Sequence, residues 1–411
     1  MDKYRKIYII IMTFGLFISL LLVFISHGKN LSSFLFFDYT DTFMDFYNPI
    51  FHAHQANPYT EVDRIYPPIC YVFFWILSQF IYSEALEMDG KYLSVDQAAC
   101  FVFIVYNIIT ILLTRKVLEK LYVNESFKRI IMLLLIISGP FLFLYERANI
   151  IIISLILTIY FVLYKDDSSQ KNRNIAIICI SLAASIKIYP ALFGILLIKE
   201  KRWIDILKCI ILGSLFFFVP FAFMGGFDKI SVMLSSLFSG SINTINIHDG
   251  LGYKVNFSNT VLAILTLCGF SISENGINSI NLVATIFSIV MITGIIFINN
   301  KWKQICLICC LIIGMPSFSF EYTLIFLSIP LLIFLSKENE EKLDLIYCVL
   351  FSIIFIFFAC PIEYFSSKFS GWWPLSLDVF LKGLSVLIMT LILYFDGFVN
   401  FIKMKKGNTA S

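Results

Sequence analysis

Charge is what this sequence has least of. Of 411 residues 14% are charged, against about 25% in soluble domains, while 59% are hydrophobic and Phe alone occurs 44 times. A chain with so little charge and with apolar runs of spanning length belongs to the membrane class. A net charge of +3 is too small to imply a nucleic-acid partner. A disulfide framework is missing too. Most of the ten cysteines lie inside apolar runs, as Cys179, Cys209, Cys268 and Cys348 do, where Cys acts as a small hydrophobe. Cys306, Cys309 and Cys310 look like part of a metal motif, but no matching Cys or His pair follows, so apolar packing is the expectation. No internal repeat or low-complexity stretch is visible. The apolar run from Ile7 to about Ser26, behind Lys3, Arg5 and Lys6, lacks a small-x-small cleavage site and reads as a retained first span.

What is present is a succession of apolar runs, near 7–27, 97–114, 128–144, 149–164, 204–224, 279–299, 322–336, 343–360 and 376–398. Stretches 174–199, 254–270 and 303–317 are less regular. Segment 66–84 is apolar but opens on Tyr66-Pro67-Pro68, which suits the first turn of a helix. Counting 66–84 as a crossing would put Arg115, Lys116, Lys120, Lys128 and Arg129 outside, against the rule that basic residues stay cytoplasmic. Laying it along the outer surface, and breaking 174–199 into two short helices that meet outside near Lys187-Ile188-Tyr189-Pro190, restores the pattern. The expectation is an all-α polytopic protein forming a single membrane domain over 1–411, with twelve spans and both termini cytoplasmic. Of the 31 Lys and Arg residues, 22 then lie inside, and His27, His52, His54 and His248 all lie outside. Two long outer loops result, 28–96 with juxtamembrane helices and 225–278, and loops of that size are usually functional.

The first loop carries Asp38, Asp41 and Asp45 among aromatics, near His52, His54, Asn57-Pro58-Tyr59 and Arg64. A carboxylate partly shielded from water at a membrane surface would have its pKa raised and could serve as a general base. The plainer reading is that these acids are solvated and keep the loop out of the bilayer. Lys187 at a broken helix pair and Arg147 at the end of a span are candidate phosphate contacts, with Arg64 as an alternative. Both could instead snorkel to anionic headgroups.

Asp45-Phe46-Tyr47, Asn57-Pro58-Tyr59, Tyr66-Pro67-Pro68, Arg147-Ala148-Asn149 and the run Ala183-Ala184-Ser185-Ile186-Lys187-Ile188-Tyr189-Pro190 before Lys199-Glu200-Lys201-Arg202-Trp203 come in an order that resembles glycosyltransferase family 87. This is the polyprenyl-phosphate-mannose-dependent group with the GT-C membrane fold. The resemblance covers the first half of the chain better than the second. It implies transfer of a mannose-like hexose from a polyprenyl phosphate to a glycan or glycolipid hydroxyl outside the cytoplasm, with inversion, and an acid of the first outer loop as base. By position that acid is Asp45, with Asp41 and Asp38 in reserve. Lys187, Arg147, Arg64 and Tyr66 are expected on the donor side, and Tyr59, His248, Glu321 and Tyr322 on the sugar or acceptor side.

In the second half, His248-Asp249-Gly250 through Asn256-Phe257-Ser258 is a polar stretch in an apolar chain. Pro316 to Tyr322 stands where family members often carry Ser-Pro, Trp and a His-rich element; here Phe320 and Tyr322 replace the Trp and His. Glu321 beside a span is notable, because ionisable residues at membrane depth usually have a task. Tyr364-Phe365 and Trp372-Trp373 read as an interfacial belt. No Asp-x-Asp element occurs in the first loop and no ligand cluster demands a metal, so neither metal nor other cofactor is expected. The bilayer and a lipid-linked sugar are the expected partners, and a bacterial cell membrane the expected location. Two rivals remain open. A polysaccharide polymerase or ligase would use loop arginines, of which the long loops hold only Arg64. A transporter would show repeats and mid-membrane polar groups.

Overall fold

The computed structural model describes residues 1–33, 35–36, 41–60, 64–243, 254–317, 319–357 and 376–408. The protein is all-helical, 77% helix. Among the described residues no strand forms; Lys254 and Phe320 make a single antiparallel bridge. His248, Asp38, Tyr364, Phe365, Trp372 and Trp373 lie outside the described residues.

Prolines decide where several helices stop. Proline has no N–H and its ring crowds the carbonyl four residues earlier. The helix Lys128–Ile136 ends four residues before Pro140, and Gln170–Ile186 ends four residues before Pro190. The chain resumes as Gly139–Arg147, with Pro140 in its first turn, bent by 48° from its predecessor. After Ile186 it resumes as a 3-10 turn, Tyr189–Phe193, and a short helix, Gly194–Lys199. The expected break in 174–199 therefore falls at Lys187.

Five helices among the described residues are long and apolar enough to cross a bilayer: Asp2–Ile25, Gln97–Leu121, Trp203–Phe223, Asn275–Phe297 and Leu377–Lys403. The bent pair over 128–147 makes a sixth if it counts as one span. Pro68–Ser78 has 11 residues, about 16 Å of helix, against a hydrocarbon core of about 30 Å, so it cannot cross alone. The other expected apolar runs are helical but shorter or interrupted, as in Ile151–Tyr164, Glu321–Ser336 and Asp344–Phe355. Long apolar helices make this a membrane protein; among the described residues five of them, or six with the bent pair, meet the spanning length, and the expected twelve are not shown.

The chain divides into two compact units, one of residues 1–37, 121–143 and 244–411, the other of 38–120 and 144–243. In the first, Lys301–Gly314 is the central helix, buried from Trp302 to Gly314 and packed against Leu377–Asn408, Glu274–Phe297 and Ser328–Ser336. Cys306, Cys309 and Cys310 lie on it, buried and free, with Cys306 Sγ 3.3 Å from Met389 Sδ. In the second unit, Gln170–Ile186 packs between Ile151–Tyr164 and Trp203–Phe218, and Met44–Ala53 lies against Pro68–Ser78.

Candidate active site

Asp45 sits in the first turn of Met44–Ala53. This helix is anchored by its aromatic face. Phe46 and Tyr47 are buried, and the rings of Phe43, Phe46 and Tyr47 pack on Phe103 with centroids 4.6, 5.4 and 5.7 Å away. Phe43, at φ +66°, turns the chain sharply into the helix and leaves Asp41 just outside it. Pro49 lies inside the helix and has no N–H to give the carbonyl of Asp45 four residues earlier.

A second sharp turn supplies the partners. Gly139–Arg147 ends, Ala148 takes φ +44°, and Asn149 begins the turn into Ile151–Tyr164. A left-handed Ala costs about 1 kcal/mol or more, and such outliers gather at functional sites. Here the reversal sends Arg147 and Asn149 to the same carboxylate. Arg147 Nη2 donates to Asp45 Oδ1 at 2.6 Å, and Asn149 Nδ2 donates to Asp45 Oδ2 at 2.8 Å. Arg147 Nη1 donates to both the carbonyl and Oδ2 of Asp41, at 2.8 and 2.6 Å. The guanidinium is thus held by two acids. The side chains of Arg147 and Asp45 are 16% and 19% exposed, that of Asp41 38%.

The network continues to Tyr66, whose hydroxyl lies 3.1 Å from Asn149 Nδ2. Lys187, freed by the break before Pro190, places its ammonium 4.5 Å from the centre of the Tyr66 ring. Among the described residues Lys187 has no ion pair. Its charge and that of Asp45 are near enough to influence one another. Burial works to raise the Asp45 pKa, but the Arg147 cation and the bonds from Arg147 and Asn149 outweigh it and hold the group below its ordinary value. Burial lowers the pKa of Lys187, with Cys70 and Asp45 opposing. The result is an ionised carboxylate and an ammonium that gives up its proton more easily than a free lysine does.

Other expected site residues fall elsewhere. Tyr59 is buried and its hydroxyl donates to the Tyr66 carbonyl at 2.7 Å, while its ring meets Tyr71 and Phe221. Arg64 lies near His52 and Tyr71, and burial together with Arg64 and His54 depresses His52 to about 4, so this imidazole is neutral at pH 7. Glu321 and Tyr322 belong to the other unit. Glu321 is fully buried and ion-paired to Lys382, which also pairs with Asp378. Tyr322 stacks on Phe143, centroids 6.0 Å apart.

Sequence reasoning missed three of these residues. Asn149 was visible only as part of Arg-Ala-Asn, and nothing in its neighbours announces a bond to an acid 104 residues earlier. Asp378 and Lys382 pass for an ordinary i,i+4 pair; the signal that could have found them is two ionisable residues inside an apolar run.

Long apolar helices define the class, a helical membrane protein, and two helix breaks carry its charged network. Residues 65–242, less than half of the chain, are similar to the model of glycosyltransferase family 87. The matched stretch holds Tyr66, Arg147, Asn149 and Lys187 but begins after Asp41 and Asp45. No curated protein matches the chain.

Proposed function

We propose that the protein transfers a mannose-like hexose from a polyprenyl-phosphate donor to a glycan or glycolipid hydroxyl. Asp45 accepts the hydroxyl proton as the acceptor oxygen attacks the anomeric carbon. The bond from that carbon to the phosphate oxygen breaks, the polyprenyl phosphate leaves, and the configuration inverts. A sugar hydroxyl is a poor nucleophile until a base takes its proton, and one placed carboxylate supplies that. The departing phosphate carries negative charge, which a nearby cation stabilises. Lys187 takes that part, with Tyr66 beside it. No metal enters the step.

The observation that carries this reading is the continuous line from Asp45 through Asn149 and Tyr66 to Lys187, a base at one end and an ammonium without an ion pair at the other. The proposed setting is a twelve-span GT-C protein forming one membrane domain in a bacterial cell membrane. Both termini are cytoplasmic and the loops 28–96 and 225–278 lie outside, as the spread of Lys and Arg supports.

The test is sugar transfer by purified wild type in vesicles, from radiolabelled polyprenyl-phosphate mannose and other polyprenyl-phosphate hexoses, with and without EDTA. Transfer unaffected by EDTA, with an inverted product anomer by NMR, is the expected result. Failure with every such donor, together with elongation of a diphosphate-linked glycan, would move the protein to the polymerase class.

A further inference from the structure

Arg147 entered as a candidate contact for the donor phosphate, yet its position makes another use of it. Three of its N–H groups are already committed, two to Asp41 and one to Asp45. A guanidinium has five, in a rigid planar fork, so these three bonds fix its plane. The plane in turn fixes Asp45 Oδ1, while Asn149 fixes Oδ2. Asn149 is itself held, since its Oδ1 accepts from the N–H of Ile151 at 3.0 Å. Each Asp45 oxygen accepts one bond from this pair and keeps a further lone pair for an incoming proton.

We propose that Arg147 and Asn149 are positioning residues for the Asp45 carboxylate, that Asp41 anchors Arg147 in place, and that the donor phosphate is left to Lys187. This rests on the proposed glycosyl transfer and assigns distinct tasks within it. Asp41 and Asp45 look alike in the sequence, but they differ in place. Asp41 lies outside the helix, is the more exposed of the two, and meets Arg147 with its backbone carbonyl as well as its carboxylate. Asp45 lies inside the helix, and only it reaches both Arg147 and Asn149. The charged and titratable groups that face Asp45 are Arg147, Lys187, Asp41 across the guanidinium, and the Tyr66 phenol beyond Asn149.

The experiment is a pH series of kcat and donor KM for wild type, Arg147→Met, Arg147→Lys, Asn149→Ala and Asp41→Asn, with Asp45→Asn as the reference for loss of the base. Losing the arginine removes a cation from Asp45, so the acid limb of kcat should rise by about one pH unit or more in Arg147→Met. Asn149→Ala should move it the same way by less. In Asp41→Asn the guanidinium stays beside Asp45 with one acid fewer to share it, so the limb should stay or fall while kcat drops. Donor KM should hold within about threefold in all of them, because the phosphate contact is elsewhere.

A donor KM raised about tenfold or more in Arg147→Met, with the acid limb unmoved, would return Arg147 to the phosphate and overturn the proposal. Should Arg147→Met not fold, Arg147→Lys and Asn149→Ala carry the same two readouts. Absence of transfer in wild type fails the functional reading itself. Transfer that survives in Asp45→Asn and vanishes in Asp41→Asn exchanges the two acids and overturns the assignment made here.

Discussion

Both units of the protein hold a cation between two acids, and the two arrangements differ in one respect. In one unit Arg147 lies between Asp41 and Asp45, with side-chain exposures of 16%, 38% and 19%. In the other Lys382 lies between Glu321 and Asp378, with no side chain more than 1% exposed. The first is partly open to solvent and the second is not. Taking charges out of water costs several kcal/mol per ion, recovered only through close pairing. The sealed lysine is therefore bound to folding, while the open arginine leaves its acids partly in contact with solvent and able to exchange protons. Location also differs. Arg147 and Asn149 flank a left-handed turn at a helix end, where side chains can be aimed from two directions. Asp378 and Lys382 stand one helical turn apart on Leu377–Asn408, and Glu321 joins them at the start of a 3-10 turn.

The largest effect expected from breaking this contrast is on turnover. Asp45→Asn should reduce transfer by about a hundredfold to ten-thousandfold, the range a general base supplies, with the protein still folded and inserted. On stability the largest effect belongs to the sealed cluster. Lys382→Met leaves two carboxylates buried without their cation and should cost about 3–5 kcal/mol, read as a lowered unfolding midpoint in detergent. Replacing all three residues by apolar ones of like size should recover most of that loss.

A smaller effect comes from the ammonium at the far end of the open network. Lys187→Met should raise donor KM about tenfold and lower kcat as well, because the ammonium meets the donor phosphate and the charge that grows on it as it leaves. Because burial lowers the Lys187 pKa, its positive charge is lost at a lower pH than that of a free lysine. Donor affinity should accordingly weaken on the alkaline side as pH rises through that lowered value, and Lys187→Arg should remove this limb.

The smallest effect lies beside the sealed cluster. A Cβ on Gly139 would sit 2.7 Å from Lys382 Nζ and 3.2 Å from the Ile356 carbonyl. The lysine is pinned by its two acids and cannot swing aside freely, so Gly139→Ala should cost about 1–3 kcal/mol, as overpacking does.

Much of the fold was legible from hydropathy and proline. The apolar runs are largely helical, and the break expected in 174–199 falls before Pro190, whereas 128–144, expected as one run, is broken and bent at Pro140. The span count was not legible to the same degree. Twelve apolar runs do not make twelve helices of spanning length, because several runs divide at Pro or pass into 3-10 turns, as at Val219–Phe223 and Glu321–Leu327. The site was legible in part. Arg147, Tyr66 and Lys187 stood out as polar residues at the ends or breaks of apolar runs, and Asp45 as one of three acids in the first long loop, singled out by the Asp45-Phe46-Tyr47 resemblance. Their mutual order could not be read there. Arg147 meets an acid 102 residues earlier in the chain, Asp45, and only packing settles whether it faces an acid or a lipid phosphate. Glu321 drew attention for its charge in an apolar setting, but its partner Lys382 follows 61 residues later on another helix.

The most direct test of the contrast pairs Asp45→Asn with Lys382→Met, assaying sugar transfer per folded molecule and the unfolding midpoint of each against wild type. The account predicts a double separation: Asp45→Asn loses transfer and keeps its fold, whereas Lys382→Met loses stability and its folded fraction still transfers sugar. Transfer retained in Asp45→Asn, or abolished in fully folded Lys382→Met, would contradict it.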